Sequence, residues 1–427
     1  MEHVENVNDG ECILIRGPAN IEVKEGRVTV LGGTFDAGEH IMIPKGKTLS
    51  LKACTSAILR IVSSSIERVK EDVPSQWRIA VEELDKVEKP AVVIVIGGVD
   101  TGKTTFTVFL GNMALKKGLR VAIVDADVGQ SDIGPPCFVA MGLLDKSVVD
   151  MSKVELNDAY FVGSTTPSAY PHRMVTGVKL MVEKALMLGS EVVLVDTPGW
   201  ISGFRARDLI ISLLHVLRPS IVVALQDNEE AEGILKAFSS SEMHIIRLPA
   251  LASCKRNRET RKFLREMAYR KHLHGGINVE LDINKVSVAY TTLFSGNTLS
   301  SDEERKVSGI LGVSPVYAEA SFDTLTLVLP SYVDVWEKIE MLGLLFKGRE
   351  VYLLREESLE NLLVALLDKR NRYLGVGILK KINYATRKML LYTSVPPDKV
   401  ATVLFGSVKV AENGEEMGSI QLHKVKV

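Results

Sequence analysis

Cysteine is scarce: four in 427 residues, at Cys12, Cys54, Cys137 and Cys254, with no Cys-x-x-Cys pair. Scattered single thiols supply neither a zinc site nor a disulfide framework, and they fit a reducing cytoplasm. No apolar run approaches the roughly 18 residues of a membrane span. The polar, acidic N-terminus does not read as a signal peptide. Net charge is −1, so any nucleic-acid contact has to come from a local basic patch rather than from bulk charge. Glutamine is rare as well, four residues against abundant Lys, Arg and Glu, the balance of a thermophile. No internal repeat or low-complexity tract occurs. The rest is ordinary globular composition, 46% hydrophobic and 25% charged, in a length that suits about two or three domains.

Patterning divides the chain. Residues 1–73 hold short alternating runs (ECILIRG, NIEVKEG, RVTVLGG, EHIMIPKG, TLSLKA, AILRIVS) broken by Gly, Pro and Lys-Gly turns, which predicts a small β-sandwich. In residues 74–89, Trp77, Ala80, Val81, Leu84 and Val87 fall at helical spacing, which predicts a linker helix. Residues 90–280 alternate strands, expected at 91–96, 120–125, 159–163, 191–196, 220–225 and 243–247, with helices. That is the pattern of an α/β domain with a mostly parallel sheet. From 281 to 427 β-patterns return, which predicts a C-terminal β-rich domain.

The apolar run AVVIVI (91–96) is followed by GGVDTGKTT (97–105) and then by a helix that puts Phe106, Leu110, Met113 and Ala114 on one face. Glycines let the intervening backbone turn tightly and aim its N–H groups inward, and N–H groups gathered at a helix N-terminus bind phosphate. Gly97, Gly98, Val99, Asp100, Thr101, Gly102, Lys103, Thr104 and Thr105 form the candidate nucleotide loop. Lys103 would reach the β- and γ-phosphates and the Thr104 hydroxyl would face Mg²⁺. The bland alternative is a glycine loop that only turns the chain.

Four further clusters follow. VVLVDTPGW (192–200) places Asp196 at a strand tip, where a carboxylate can hold Mg²⁺ or merely cap a turn. A GTPase would carry Asn-Lys-x-Asp after a later strand. The Asn-Lys here, Asn284-Lys285-Val286-Ser287, lies outside the α/β domain and lacks the aspartate. VAIVDADVGQ (121–130) ends a buried strand in Asp125-x-Asp127-x-Gly129-Gln130, which suits metal and proton work, or a turn. In VGSTTPS (162–168), Thr165 and Thr166 could hydrogen-bond a sugar-phosphate backbone, or simply form a loop. The basic stretch 254–275 carries Lys255, Arg256, Arg258, Arg261 and Arg265, with 258, 261 and 265 on one helical face. It reads as a lid over the phosphates or as a solvated face.

In order and content these five clusters resemble the polynucleotide 5′-hydroxyl kinase family, which includes the kinase subunit of eukaryotic mRNA 3′-end cleavage factors, rRNA-processing 5′-kinases and archaeal homologues. GGVDTGKTT is similar to its P-loop, DADVGQ to its DxDxGQ motif, GSTTPS to its clasp and DTPGWI to its Walker-B-plus-tryptophan segment. The resemblance implies a central P-loop domain flanked by two β-domains and ATP-dependent phosphorylation of 5′-hydroxyl ends of RNA, with DNA as a further candidate. It also implies lid roles for Arg256 and Arg261, although helical geometry pairs Arg258 with Arg261. On this reading Asp127 activates the hydroxyl, Asp125 and Asp196 face the metal, and Gln130, Thr165 and Thr166 lie on the acceptor side. Trp200 stacks on the first base or packs in the core. The N-terminal sandwich would lie near the adenine. An ATP-bound scaffold without turnover, possible partner proteins included, is the rival from another class. A regulatory GTPase is the weaker one.

Overall fold

The computed structural model describes residues 2–251, 257–330, 338–420 and 423–425. They divide into two compact units, residues 1–265 and 266–427.

The first unit opens with two antiparallel sheets. Four strands, in the spatial order Glu2–Val7, Ala57–Val62, Ala19–Glu25 and His40–Ile43, make one; five, in the order Gly33–Asp36, Arg27–Val30, Thr48–Ala53, Cys12–Arg16 and Ile66–Val69, make the other. Alternate residues are buried on the apolar faces: Ile21, Val23, Leu59 and Ile61 in one sheet, Ile13, Ile15, Leu49 and Leu51 in the other. Three of these strands were not expected from the sequence, Glu2–Val7, Gly33–Asp36 and Ile66–Val69. All three lie at sheet edges, where fewer side chains are covered and the alternation of apolar residues weakens.

A helix at Arg78–Lys86 buries Ala80, Val81 and Leu84, as the spacing predicts. Trp77, fully buried before it, meets Phe106 edge to face at 5.1 Å and donates its indole N–H to the Pro249 carbonyl at 3.2 Å.

The central sheet follows. Its strands are β1 (Ala91–Gly97), β2 (Val121–Asp125), β3 (Phe138–Leu144), β4 (Asp158–Phe161), β5 (Val192–Asp196), β6 (Ile221–Leu225) and β7 (His244–Leu248), in the order β4-β3-β2-β5-β1-β6-β7. The pairs from β2 through β5, β1 and β6 to β7 are parallel, whereas β3 and β4 run antiparallel at one edge. Strands β1, β2, β5 and β6 are buried along their whole length, since helices cover both faces. The sheet is therefore mostly parallel, as expected. The strand β3 was missed: it is reached through a turn closed by the Cys137 N–H on the Val128 carbonyl, with no crossover helix to announce it. Helices α1 (Lys103–Lys116), α2 (Pro171–Met187) and α3 (Phe204–Leu217) flank the sheet, and α4 (Arg258–Leu273) follows β7.

Taken alone, the second unit is rich in β-structure. A seven-stranded sheet runs Ile277–Asp282, Lys388–Thr393, Tyr373–Asn383, Leu362–Leu367, Thr402–Val410, Ser287–Ala289, with Glu416–Ser419 paired to Thr402–Val410. A five-stranded sheet contains Tyr317–Ala320, Thr324–Leu329 and Glu350–Arg355. Helices at Ser301–Leu311 and Ile339–Leu345 interrupt the strands. Among the described residues no helix is long and apolar enough to cross a membrane.

Candidate active site

The turn from β1 into α1 holds the nucleotide loop. Gly102 adopts φ 89°, and a Cβ there would meet the Leu251 Cβ at 2.8 Å, so both conformation and space demand glycine. Asp100, also at positive φ, tightens the same turn. Lys103 is only 7% exposed. Its Nζ donates to the Gly98 carbonyl at 2.6 Å, and the Thr101 hydroxyl donates to the same oxygen at 3.0 Å. Burial lowers the Lys103 pKa, while Asp196, Asp127 and Asp100 pull it back toward the charged form.

Three carboxylates gather at the strand tips. Asp125 and Asp196 are register partners on β2 and β5. The Thr104 hydroxyl donates to Asp196 Oδ2 at 2.6 Å, while Asp196 Oδ1 is buried with no hydrogen bond among the described residues. Burial pushes the Asp196 pKa up to about 7, against the pull of Lys103 and the Thr104 hydroxyl. Asp125 faces its own loop. Its Oδ2 accepts from Ser131 Oγ (2.9 Å) and from the N–H groups of Asp132 (2.7 Å) and Ile133 (3.1 Å), and its Oδ1 accepts from the Asp127 N–H (3.1 Å). Burial, then Asp132 and Asp196, raise its pKa to about 8. Asp127 uses Oδ1 to accept from the N–H groups of Gly129 and Gln130, both at 3.0 Å. Burial raises its pKa too, opposed by Lys103 and those two N–H groups.

One cavity of about 520 Å³ unites most of these groups. Its lining includes Val99, Asp100, Gly102, Lys103, Thr104, Thr105, Asp127, Gln130, Trp200, Arg261 and Arg265. Arg261 Nη2 donates to Asp100 Oδ2 at 2.7 Å, tying α4 to the nucleotide loop. Gln130 Nε2 donates to the Arg261 carbonyl at 3.3 Å, and its Oε1 is buried without a partner among the described residues. Trp200 is half-buried, packed on the central core and also facing the cavity. Arg258 opens α4 in an exposed position outside the cavity lining. Arg256, with Lys255 and Cys254, lies outside the described residues. Thr165 and Thr166 border the same loop: a Cβ on Gly129 would meet the Thr165 carbonyl at 2.8 Å, and the Thr166 N–H donates to Ser164 Oγ at 3.1 Å.

The far wall of the cavity comes from the N-terminal sheets, through Leu14, Arg16, Leu31, Lys47, Thr48 and Ser50. Two polar contacts dock that wall. Asn112 on α1, fully buried, donates to the carbonyls of Leu31 (2.9 Å) and Val148 (2.8 Å) and accepts from the Val148 N–H (3.0 Å). Gly33 permits the approach, since a Cβ there would meet Ser147 Cβ at 2.8 Å. The second contact is Lys47, whose Nζ lies 2.5 Å from Asp150 Oδ2.

Residues 97–275 match the family described as mRNA cleavage and polyadenylation factor CLP1 P-loop. The chain is 34% identical over 349 residues to a polyribonucleotide 5′-hydroxyl-kinase of Pyrococcus abyssi, covering 81% of this chain and 95% of that one. It is 30% identical to one of Methanocaldococcus jannaschii, over 81% of this chain and 94% of the relative. The chain belongs to the polyribonucleotide 5′-hydroxyl-kinase family. It is thus a nucleotide-using phosphotransferase. Its fold also matches a solved structure, the wild-type Clp1p–Pcf11p complex, with a TM-score of 0.64 at 14% identity over 96% of this chain and 98% of that one.

In this kinase several cavity residues escaped the sequence reading. Lys47 and Ser50 sit in a turn and a strand of ordinary composition, and nothing marks them. Asp150 follows an apolar Val-Val pair with no motif around it. Asp132 carried a signal, since it lies five residues beyond Asp127 in the same loop. Arg265 did not escape: the spacing places it on the face of Arg261, one turn on, and it lines the cavity.

Proposed function

We propose that this protein transfers the γ-phosphate of ATP to the 5′-hydroxyl end of RNA, with 5′-hydroxyl DNA as a second acceptor. The observation that carries the reading is the convergence of Lys103, Asp127 and Arg261 on one cavity beside a phosphate-binding loop. Thr104 and Asp196 suit a hard divalent cation: a hydroxyl bonded to one carboxylate oxygen, with the other oxygen buried and unpartnered among the described residues. Mg²⁺ held there, through these groups and the nucleotide's own oxygens, would neutralise charge on the transferring group. Both oxygens of Asp125 are engaged by its loop, so we assign it to positioning rather than to the metal role expected from sequence.

Asp127 is placed to act as base. Its Oδ1 holds the loop, which leaves Oδ2 to accept the proton of the acceptor hydroxyl. The 5′-oxygen forms a bond to the γ-phosphorus, the bond to the β,γ-bridging oxygen breaks, and ADP leaves. Lys103 and Arg261 offset the charge on the phosphoryl oxygens; Arg256 is proposed as a second lid arginine on the family's spacing. Trp200 offers its exposed face to the first base. Gln130 Oε1, a buried acceptor without a partner among the described residues, would take a hydrogen bond from the sugar, and Thr165 and Thr166 would flank the backbone. The N-terminal wall would face the adenine. The free thiols of Cys12 and Cys54 suit work in the cytoplasm.

The test is direct. Purified protein is incubated with γ-labelled ATP or GTP and 5′-hydroxyl oligonucleotides of both sugar types. Label on the RNA 5′ end supports the reading. Bound ATP without transfer to any acceptor would favour a scaffold instead.

A further inference from the structure

Lys47 belongs to the N-terminal sheets yet ends among the acids of the kinase loops. Its Nζ is 2.5 Å from Asp150 Oδ2 and 3.4 Å from Asp132 Oδ1. One ammonium between two carboxylates does not offer a net positive charge to a polyphosphate, although the residue lines the nucleotide cavity. Its charge is better explained by what it holds. Asp150 is fixed first: its side chain is 1% exposed, and its Oδ1 accepts the Ser152 N–H at 2.8 Å. Burial alone would raise the Asp150 pKa, but the Lys47 ammonium beside it and the Ser152 contact bring it below the usual carboxylate range. The buried Lys47–Asp150 ion pair is therefore the anchor, and Asp132 is the partner that leads onward.

From Asp132 the contacts run to the reacting group without a gap. The Asp132 N–H donates to Asp125 Oδ2 at 2.7 Å, flanked there by Ser131 Oγ and the Ile133 N–H. The other oxygen of Asp125 accepts the Asp127 N–H at 3.1 Å. A shift of Asp132 thus moves the carboxylate on which the Asp127 backbone rests. In phosphoryl transfer, misplacing a reacting group by about 1 Å can cost on the order of a hundredfold in rate. We propose that Lys47 is a positioning residue of the phosphoryl transfer, holding the loop that carries Asp127 in register through Asp132 and Asp125. This assignment rests on the function proposed above.

The full-length protein is assayed with ATP and a 5′-hydroxyl RNA oligonucleotide, and melting is recorded for every variant. Lys47→Met alone would strand the buried Asp150 charge and endanger folding. Three changes avoid that: Asp132→Ala, which removes the side chain that Lys47 reaches and keeps the backbone N–H on Asp125, read beside Asp132→Asn, which removes only its charge; Lys47→Met with Asp150→Asn, which removes both charges of the buried pair; and Lys47→Arg as the conservative replacement. Expected are kcat losses of about tenfold for Asp132→Ala and for the double variant, with nucleotide KM within about twofold of wild type, and no added loss when all three charges are removed together, because the groups act as one unit. Lys47→Arg retains most of the turnover. A raised nucleotide KM at full kcat would make Lys47 a nucleotide contact and overturn the proposal. So would multiplicative losses on combination, wild-type turnover in Asp132→Ala, or losses that follow the melting temperature. Wild-type protein that labels no RNA would instead refute the proposed function itself.

Discussion

Asp127→Asn isolates proton transfer from loop architecture. An asparagine can place its carbonyl oxygen where Asp127 Oδ1 now accepts the N–H groups of Gly129 and Gln130. The turn survives, and the amide nitrogen takes the position of Oδ2, where it cannot accept a proton. Turnover should fall by roughly 10²–10⁴-fold, which corresponds to about 3–5 kcal/mol of barrier. Melting should not change, and Mg·ATP affinity should hold or rise, since a negative charge leaves the phosphate side of the cavity. Asp125→Asn makes the contrast. Four donors converge on Asp125, three on Oδ2 and one on Oδ1. The amide can keep its oxygen toward the three, but its NH₂ then faces the Asp127 N–H. One bond is lost and two donors oppose each other, at about 1–3 kcal/mol, so this variant should lose both stability and turnover. Single-turnover rates, calorimetric nucleotide affinity and thermal melts separate the two. A near-normal single-turnover rate in Asp127→Asn would refute the base assignment. A dead Asp125→Asn with unchanged melting, beside an active Asp127→Asn, would reverse the roles.

Lys103→Ala should abolish transfer even at saturating ATP, as measured by end-labelling; turnover intact at saturation would limit the lysine to ground-state binding. Gly102→Ala forces an L side chain to φ 89° and against Leu251, so calorimetry should show nucleotide affinity reduced about 5- to 30-fold, from strain of roughly 1–2 kcal/mol. Burial, with Lys271 adding to it, holds the His272 pKa down to about 4. The unfolded chain then binds the extra proton between about pH 6.5 and 4, so stability present above that window is lost as pH falls through it. His272→Gln should flatten that part of the melting-temperature profile; an unchanged profile would show that His272 does not drive it.

The central domain was legible because its signals are local. A strand, two glycines five apart and a lysine fall within one short segment, and every buried parallel strand announces itself as an unbroken apolar run. The positions of Asp196 and Asp127 were visible for the same reason, one closing such a run and the other two residues beyond one. What the sequence hid was contact between distant segments. Nothing near Lys47 says that its ammonium ends beside Asp150, about a hundred residues on, and nothing near Asn112 says that its amide will close on Leu31. For Asp125 the hidden quantity was direction: spacing put the residue at the strand tip, but its oxygens turn to Ser131 and to the Asp132 and Ile133 amides, contacts that spacing does not show. The edge strand Glu2–Val7 escaped because its inward positions include polar His3 and Glu5 while Val4 faces outward, so no apolar alternation marks it.

The buried Asn112 amide joins three pieces of chain: the α1 helix, the Leu31 turn and the Val148 segment. Separating them would leave two carbonyls and an N–H stripped of partners, so the N-terminal sheets and the nucleotide loop melt as one cooperative block rather than in sequence. A nucleotide that binds only the folded form stabilises that block by about 2.7 kcal/mol at a hundred times its Kd. Its protection therefore reaches beyond the residues it touches. Backbone amides in the N-terminal strands, which donate nothing to phosphate, will exchange with solvent more slowly when ATP is present, and protease will find the N-terminal segment harder to clip.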